Sequence, residues 1–174
     1  VTPEVSKYRL FAWVKDKVNI AHRLYIFACS DDYLFGVLHS KPHEIWSLHT
    51  GGRMGDGKDG GRPVYNLGRC FETFPFPWSP NQEPKNDPRV MAIAEAAKEL
   101  NEKRERWLNP ESADEKELKK RTLTNLYNQR PTWLDLAHEK LDCAVYAAYG
   151  WEYPLSDEEI LERLLALNLE RAGE

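Results

Sequence analysis

Six of the twelve residues from Gly51 to Arg62 are glycine, and five of the others are charged: Arg53, Asp56, Lys58, Asp59 and Arg62. Such a stretch is a loop that brings backbone and both signs of charge close to a partner, because glycine carries no Cβ and accepts positive φ. The chain then changes abruptly to aromatics and prolines, with Phe71, Phe74, Pro75, Phe76 and Pro77 in quick succession. That tail is an anchor that pins the loop's return to a core. The loop is expected to read something, and the rest of the chain to hold it in place.

With 174 residues, 41% hydrophobic and 30% charged, the chain suits one soluble globular domain or two small ones. No apolar run approaches the roughly 18 residues of a membrane span, and the N-terminus has no secretory pattern. Cys29, Cys70 and Cys143 are far apart, which suits buried thiols in a reducing compartment better than a disulfide framework or zinc site. The expectation is a cytoplasmic protein with no membrane partner. Charge is uneven: residues 1–80 hold 10 Lys+Arg against 8 Asp+Glu, whereas residues 81–174 hold 14 against 20. An acidic chain is no general nucleic-acid binder, since non-specific affinity rests on many phosphate contacts. The less acidic first half could still face nucleic acid as part of something larger.

KYRLFAWV (7–14) alternates polar and apolar residues and predicts a half-buried strand, with LYIFACS (24–30) a second. Asp31 and Asp32 suit the start of a helix over DYLFGVLHS, and Pro42 sits near the first turn of another over HEIWSLH, closed by Gly51-Gly52. PVYNLGRCFE (63–72) predicts a third strand with a bulge at Gly68. After a polar, proline-containing linker, only helices follow. Asp87-Pro88 starts one to about Leu108 with Val90, Ile93, Ala97, Leu100 and Trp107 in a stripe; Ser112 to Glu115 opens a second to about Asn128. Thr132 opens a third ending at Gly150, and Ser156 to Glu159 a fourth. The fold class is therefore α+β: a small mixed strand/helix domain over 1–80, then an all-α bundle of about four helices over 84–174.

The usual catalytic patterns are missing. The glycines of 51–61 fit neither GxGxxG nor a P-loop, and there is no GxSxG or HExxH. His39 and His43 are four apart, a spacing that can hold a metal on one helix, but Pro42 between them argues against an unbroken helix there. Hydrogen bonding at a helix surface or turn is the favoured role for the pair, and no metal site is expected. Trp46 is expected in the core.

Three stretches together resemble a known family: DDYLFGVLHSKPHEIWSL (31–48), CFETFPFP (70–77) and RTLTNLYNQRPTWLDLAHEKLDCAVYAAYGW (121–151). They are similar to the C-terminal part of single-chain restriction–modification enzymes and DNA methyltransferases of the MmeI kind. The resemblance implies a target recognition domain followed by a helical region, with double-stranded DNA as partner. It further implies an adenine methyltransferase domain upstream in the parent chain, with S-adenosylmethionine as that domain's cofactor and none in this stretch. On this reading the chain is a non-catalytic DNA-reading fragment that starts inside the recognition domain. A protein–protein docking module, with the bundle as its interface, is the alternative.

By region, the resemblance puts sequence reading on Arg53 to Asn66. Arg and Lys pair with guanine edges, Asp with the cytosine amino group and Asn with adenine. Arg53, Asp56, Lys58, Asp59, Arg62 and Asn66 are thus the base-reading candidates. Carboxylates repel phosphates, so mixed charge suits base edges better than a phosphate track, although Asp-Gly pairs also form turns. Lys7, Arg9, Lys41, His43 and Arg69 are candidates for phosphate contacts, which position without specifying.

Overall fold

A computed structural model describes residues 1–14, 19, 22–55 and 60–173. Two short antiparallel ribbons and a set of helices make up the α+β architecture. β1 (Thr2–Pro3) pairs with β2 (Leu24–Tyr25), and β3 (Gly52–Met54) with β4 (Arg62–Val64). Between the ribbons lie α1 (Asp32–His39) and α2 (Lys41–Thr50); after β4 come a single wide π-type turn (Leu67–Phe71) and then α3 (Pro88–Leu108). α4 (Glu115–Leu118), α5 (Leu123–Gln129), α6 (Thr132–Tyr149) and α7 (Asp157–Ala172) complete the chain.

The caps explain where the helices begin. Asp31 accepts hydrogen bonds from the Tyr33 and Leu34 amides, Asp87 from the Arg89 amide, and Ser156 from the Glu159 amide, while the Glu159 carboxylate accepts from the Ser156 amide. α6 stops at Gly150, which holds φ of 72°. The helix expected over 112–128 is split in two, giving five helices after residue 84. Asp114 caps α4 by accepting from the Glu117 amide, and Thr122 caps α5 by accepting from Asn125. Both residue types compete for backbone donors and so favour a fresh helix start over continuation.

Of the three expected strands one does not form and two are short, while β1 and β3 form where none was expected, β3 within the expected loop. Residues 7–14 do not join a sheet, because their backbone bonds go elsewhere: the Phe11 amide donates to His39 Nε2, and the Phe11 carbonyl accepts from Arg104. β2 ends at Tyr25, opposite Thr2, and just beyond it the Phe27 carbonyl is taken by the Cys29 amide in a local turn. β4 ends at Val64, and two residues on Asn66 caps the π-type turn by accepting from the Arg69 amide.

Packing is densest where α1 meets α3. A Cβ on Gly36 would lie 2.7 Å from Ile93 Cγ2 and 3.0 Å from Ala97 Cβ, so the two helices approach closely only because position 36 has none. Gly36→Ala is expected to destabilise the fold by about 1–3 kcal/mol through overpacking, read as a lowered urea midpoint. α3 also packs on α6, where Lys140 meets Glu99 at 2.7 Å, and α2 packs on α7. The aromatic tail is a clasp: Phe74 and Phe76 are buried. Its backbone carbonyls accept bonds from Asn168 (to Thr73), Tyr149 (to Pro75) and Arg171 (to Phe76). Trp46 lies in the core, as expected. Among the described residues no helix is long and apolar enough to cross a membrane.

Candidate nucleic-acid interface

The β3–β4 ribbon lies at the surface next to the β1–β2 ribbon, joined by a bridge between Val5 and Val64. All of β3 is exposed, and β4 runs from exposed Arg62 to half-buried Val64. Gly55, Gly60 and Gly61 take positive φ around the connecting loop. At Gly61 a Cβ would come within 2.6 Å of the Gly55 carbonyl oxygen, so this turn needs glycine twice over, for conformation and for space. Arg53 lies opposite Pro63, and Met54 opposite Arg62. Paired residues share a face of a ribbon and successive residues alternate, so Arg53 and Arg62 point to opposite sides. Arg62 and Met54 line a shallow recess of about 430 Å³ shared with Pro3, Val5, Arg23 and Leu24. Arg53 is on the other side, its Nη1 donating to the Gly61 carbonyl at 3.2 Å.

Asp56, Lys58 and Asp59 lie outside the described residues. Asn66 is exposed, but its Oδ1 is engaged in capping; Arg69 is exposed beside it. Lys7 donates to Asn128 Oδ1 at 2.7 Å and Lys41 pairs with Asp157 at 3.1 Å, both at the surface. Arg9 is held back: its guanidinium donates to Thr2 Oγ1 and the Pro3 carbonyl and lies 4.6 Å over the Tyr65 ring. His43 is fully buried and offers no nitrogen to a phosphate, since Nδ1 bonds to the Leu38 carbonyl (2.9 Å) and Nε2 to Tyr65 (3.0 Å). Neither histidine of the 39/43 pair is at a helix surface. Among the described residues no group of three or more His, Cys, Asp or Glu could hold a metal ion.

A buried polar layer lies among Phe11, α1, α3, α5 and α6. His39 Nδ1 bonds to the Phe35 carbonyl, so Nε2 accepts from both the Phe11 amide (3.1 Å) and Arg104 Nη1 (2.8 Å). Arg104 is 2% exposed and has no carboxylate partner; Nη2 donates to the Phe11 carbonyl, and Nε has no partner among the described residues. Tyr127 hydroxyl bonds to His138 Nε2 at 2.7 Å. Burial, reinforced by Arg104, pushes His39 well below the ordinary histidine range; burial pushes His43 down to about 3 and His138 to about 4. A polar cleft of about 260 Å³ opens beside this layer, between residues 8–10, the α1–α2 junction, α5 and α6. In its wall Asp142 accepts the Lys41 amide at 2.7 Å, and burial, with Glu44 nearby, pushes its carboxyl up to about 7.

No family model matches the chain. DNA methyltransferase A of Bacillus subtilis (strain 168) is 35% identical over 150 residues, which cover 85% of this chain and 14% of that relative. A solved structure of the type IIL restriction–modification enzyme MmeI in complex with DNA matches 99% of this chain and 21% of its own, with a TM-score of 0.80 and 25% identity. The chain is MmeI-like and methyltransferase-related. It spans much less than two thirds of either protein.

Within this MmeI-like chain, the residues that pattern reasoning passed over are Arg104, Tyr65 and the Tyr127–His138 pair. Arg104 had a signal. The stripe Val90, Ile93, Ala97, Leu100 continues by the same three-and-four spacing to 104 and then Trp107. A charged residue at a stripe position is buried or breaks the stripe, and here it is buried.

Proposed function

We propose that the chain is the part of a restriction–modification protein that reads its DNA target, holding double-stranded DNA for adenine N6 methylation by an S-adenosylmethionine-dependent domain elsewhere in the same protein. The observation that supports this reading is the β3–β4 ribbon: an exposed strand paired with a partly buried one, with an arginine on each side. The major groove admits a two-stranded ribbon, and arginine pairs with guanine O6 and N7. MmeI, which this chain matches over nearly its whole length, was solved with DNA, and the Bacillus relative is named as a DNA methyltransferase.

Arg53 and Arg62 are the principal readers, Asn66 and Arg69 flank them, and Lys7 and Lys41 are placed for phosphates. In the full-length protein, Arg53→Ala or Arg62→Ala is expected to relax or change the methylated sequence. Each lost bidentate contact lowers discrimination by about 1–3 kcal/mol. Methylation of a duplex carrying the target, against duplexes with each single-base change, measures this. Unchanged discrimination after replacing every charged residue of 53–62 overturns the proposal.

A further inference from the structure

The ribbon has little packing of its own, so something else must set the angle at which it stands. Three links tie it to the body. Ser6 donates to the Pro63 carbonyl, the Tyr65 amide donates to Glu4 at 2.7 Å, and Gly51 joins β3 to the end of α2. The first two flank a single antiparallel bridge between Val5 and Val64, one residue pair wide, which holds the base of β4 and reaches no further along the ribbon. The Tyr65 side chain goes deeper. It follows β4 directly, is 1% exposed, and enters the core between the Phe11 ring and the Arg9 guanidinium. There its hydroxyl meets His43 Nε2 at 3.0 Å. His43 cannot turn away, because its Nδ1 is committed to the Leu38 carbonyl and its ring packs edge-on against Phe74 of the clasp.

We infer that the Tyr65–His43 hydrogen bond is the fulcrum of the ribbon, making both residues positioning residues for sequence recognition although neither can touch DNA. The inference rests on the reading role proposed for the ribbon. Loss of the bond leaves a buried aromatic with only non-directional packing, so the ribbon samples a range of angles and the arginines meet base edges out of register. Correct and incorrect sequences are then bound more alike.

The test uses the full-length protein and measures the ratio of methylation on a target duplex to that on duplexes with single-base changes. Tyr65→Phe, which keeps the ring, is expected to lower that ratio about tenfold, within the range that one misaligned base contact carries. His43→Gln keeps an acceptor near the Nε2 position and is expected to retain most of the ratio, whereas His43→Leu is not. A purely structural role would lower methylation on all duplexes in parallel and leave the ratio intact. That result in Tyr65→Phe, with a changed ratio in Arg53→Ala, overturns the positioning role alone. An unchanged ratio in both overturns the ribbon's reading role, and this inference with it.

Discussion

Arg104→Ala is expected to be the most damaging single substitution, lowering stability by about 3–5 kcal/mol in urea unfolding of the chain. Two costs add. The long stem fills space between α1, α3 and the 9–12 segment, and truncation leaves a cavity of the kind that costs about 2–5 kcal/mol in large-to-alanine series. The Phe11 carbonyl also loses its Arg104 donor, and an unpaired buried polar group costs about 1–3 kcal/mol. One gain offsets part of this. Among the described residues the buried guanidinium meets no carboxylate and one donor has no partner, so removing it relieves desolvation. Arg104→Met separates the contributions, because it keeps the packing stem and discards the charge. It is expected to cost only about 1 kcal/mol, in line with buried charges being replaceable by apolar residues of similar volume. Equal losses in the alanine and methionine variants would mean that the hydrogen bonds, not the packing, dominate.

Helix starts were legible because a cap is a local event. Asp31, Asp87 and Ser156 each bind amides two or three residues on, so the deciding partners lie within the same short stretch of sequence. The extent of strands was not legible, because the partner is remote. KYRLFAWV has the alternation of a strand, yet the acceptor for its central amide is a histidine 28 residues away and the donor to its carbonyl an arginine 93 away. Periodicity states which face is apolar and says nothing of who pairs with the backbone. The site divides the same way. The glycine-rich stretch is exposed, as its composition indicates, but the expected loop is a short ribbon, with Arg53 in β3 and Arg62 in β4. His43 and Arg9, candidates for phosphate contacts by residue type, are instead held in the interior, where aromatic neighbours from three elements converge on them. The FPFP tail was legible as an anchor because prolines remove donors and leave carbonyls, which here are met by side chains of α6 and α7.

Stability should fall steeply as pH drops below about 6.5, by roughly 2–3 kcal/mol per pH unit between pH 6 and 5. His39, His43 and His138 are held neutral in the fold, His43 to about 3 and His138 to about 4, whereas in the unfolded chain each protonates near 6.5. Through that window the unfolded state binds about three more protons from these groups, so their contribution is complete above 6.5 and lost as pH falls. Asp142 acts in the opposite sense. Its carboxyl titrates at about 7 in the fold and near 4 when unfolded, so between those values the folded state holds the extra proton and stability falls as pH rises. Three protons against one leave about two, at about 1.4 kcal/mol per proton per pH unit. A domain at the low end of the usual stability of about 5–15 kcal/mol would therefore approach unfolding near pH 4. Two variants move the slope in opposite directions: His43→Gln removes one proton from the unfolded side and flattens it, while Asp142→Asn removes the opposing proton and steepens it. Urea midpoints measured at pH 7, 6 and 5 decide the matter, and a pH-independent midpoint would show that the histidines are not held neutral by burial.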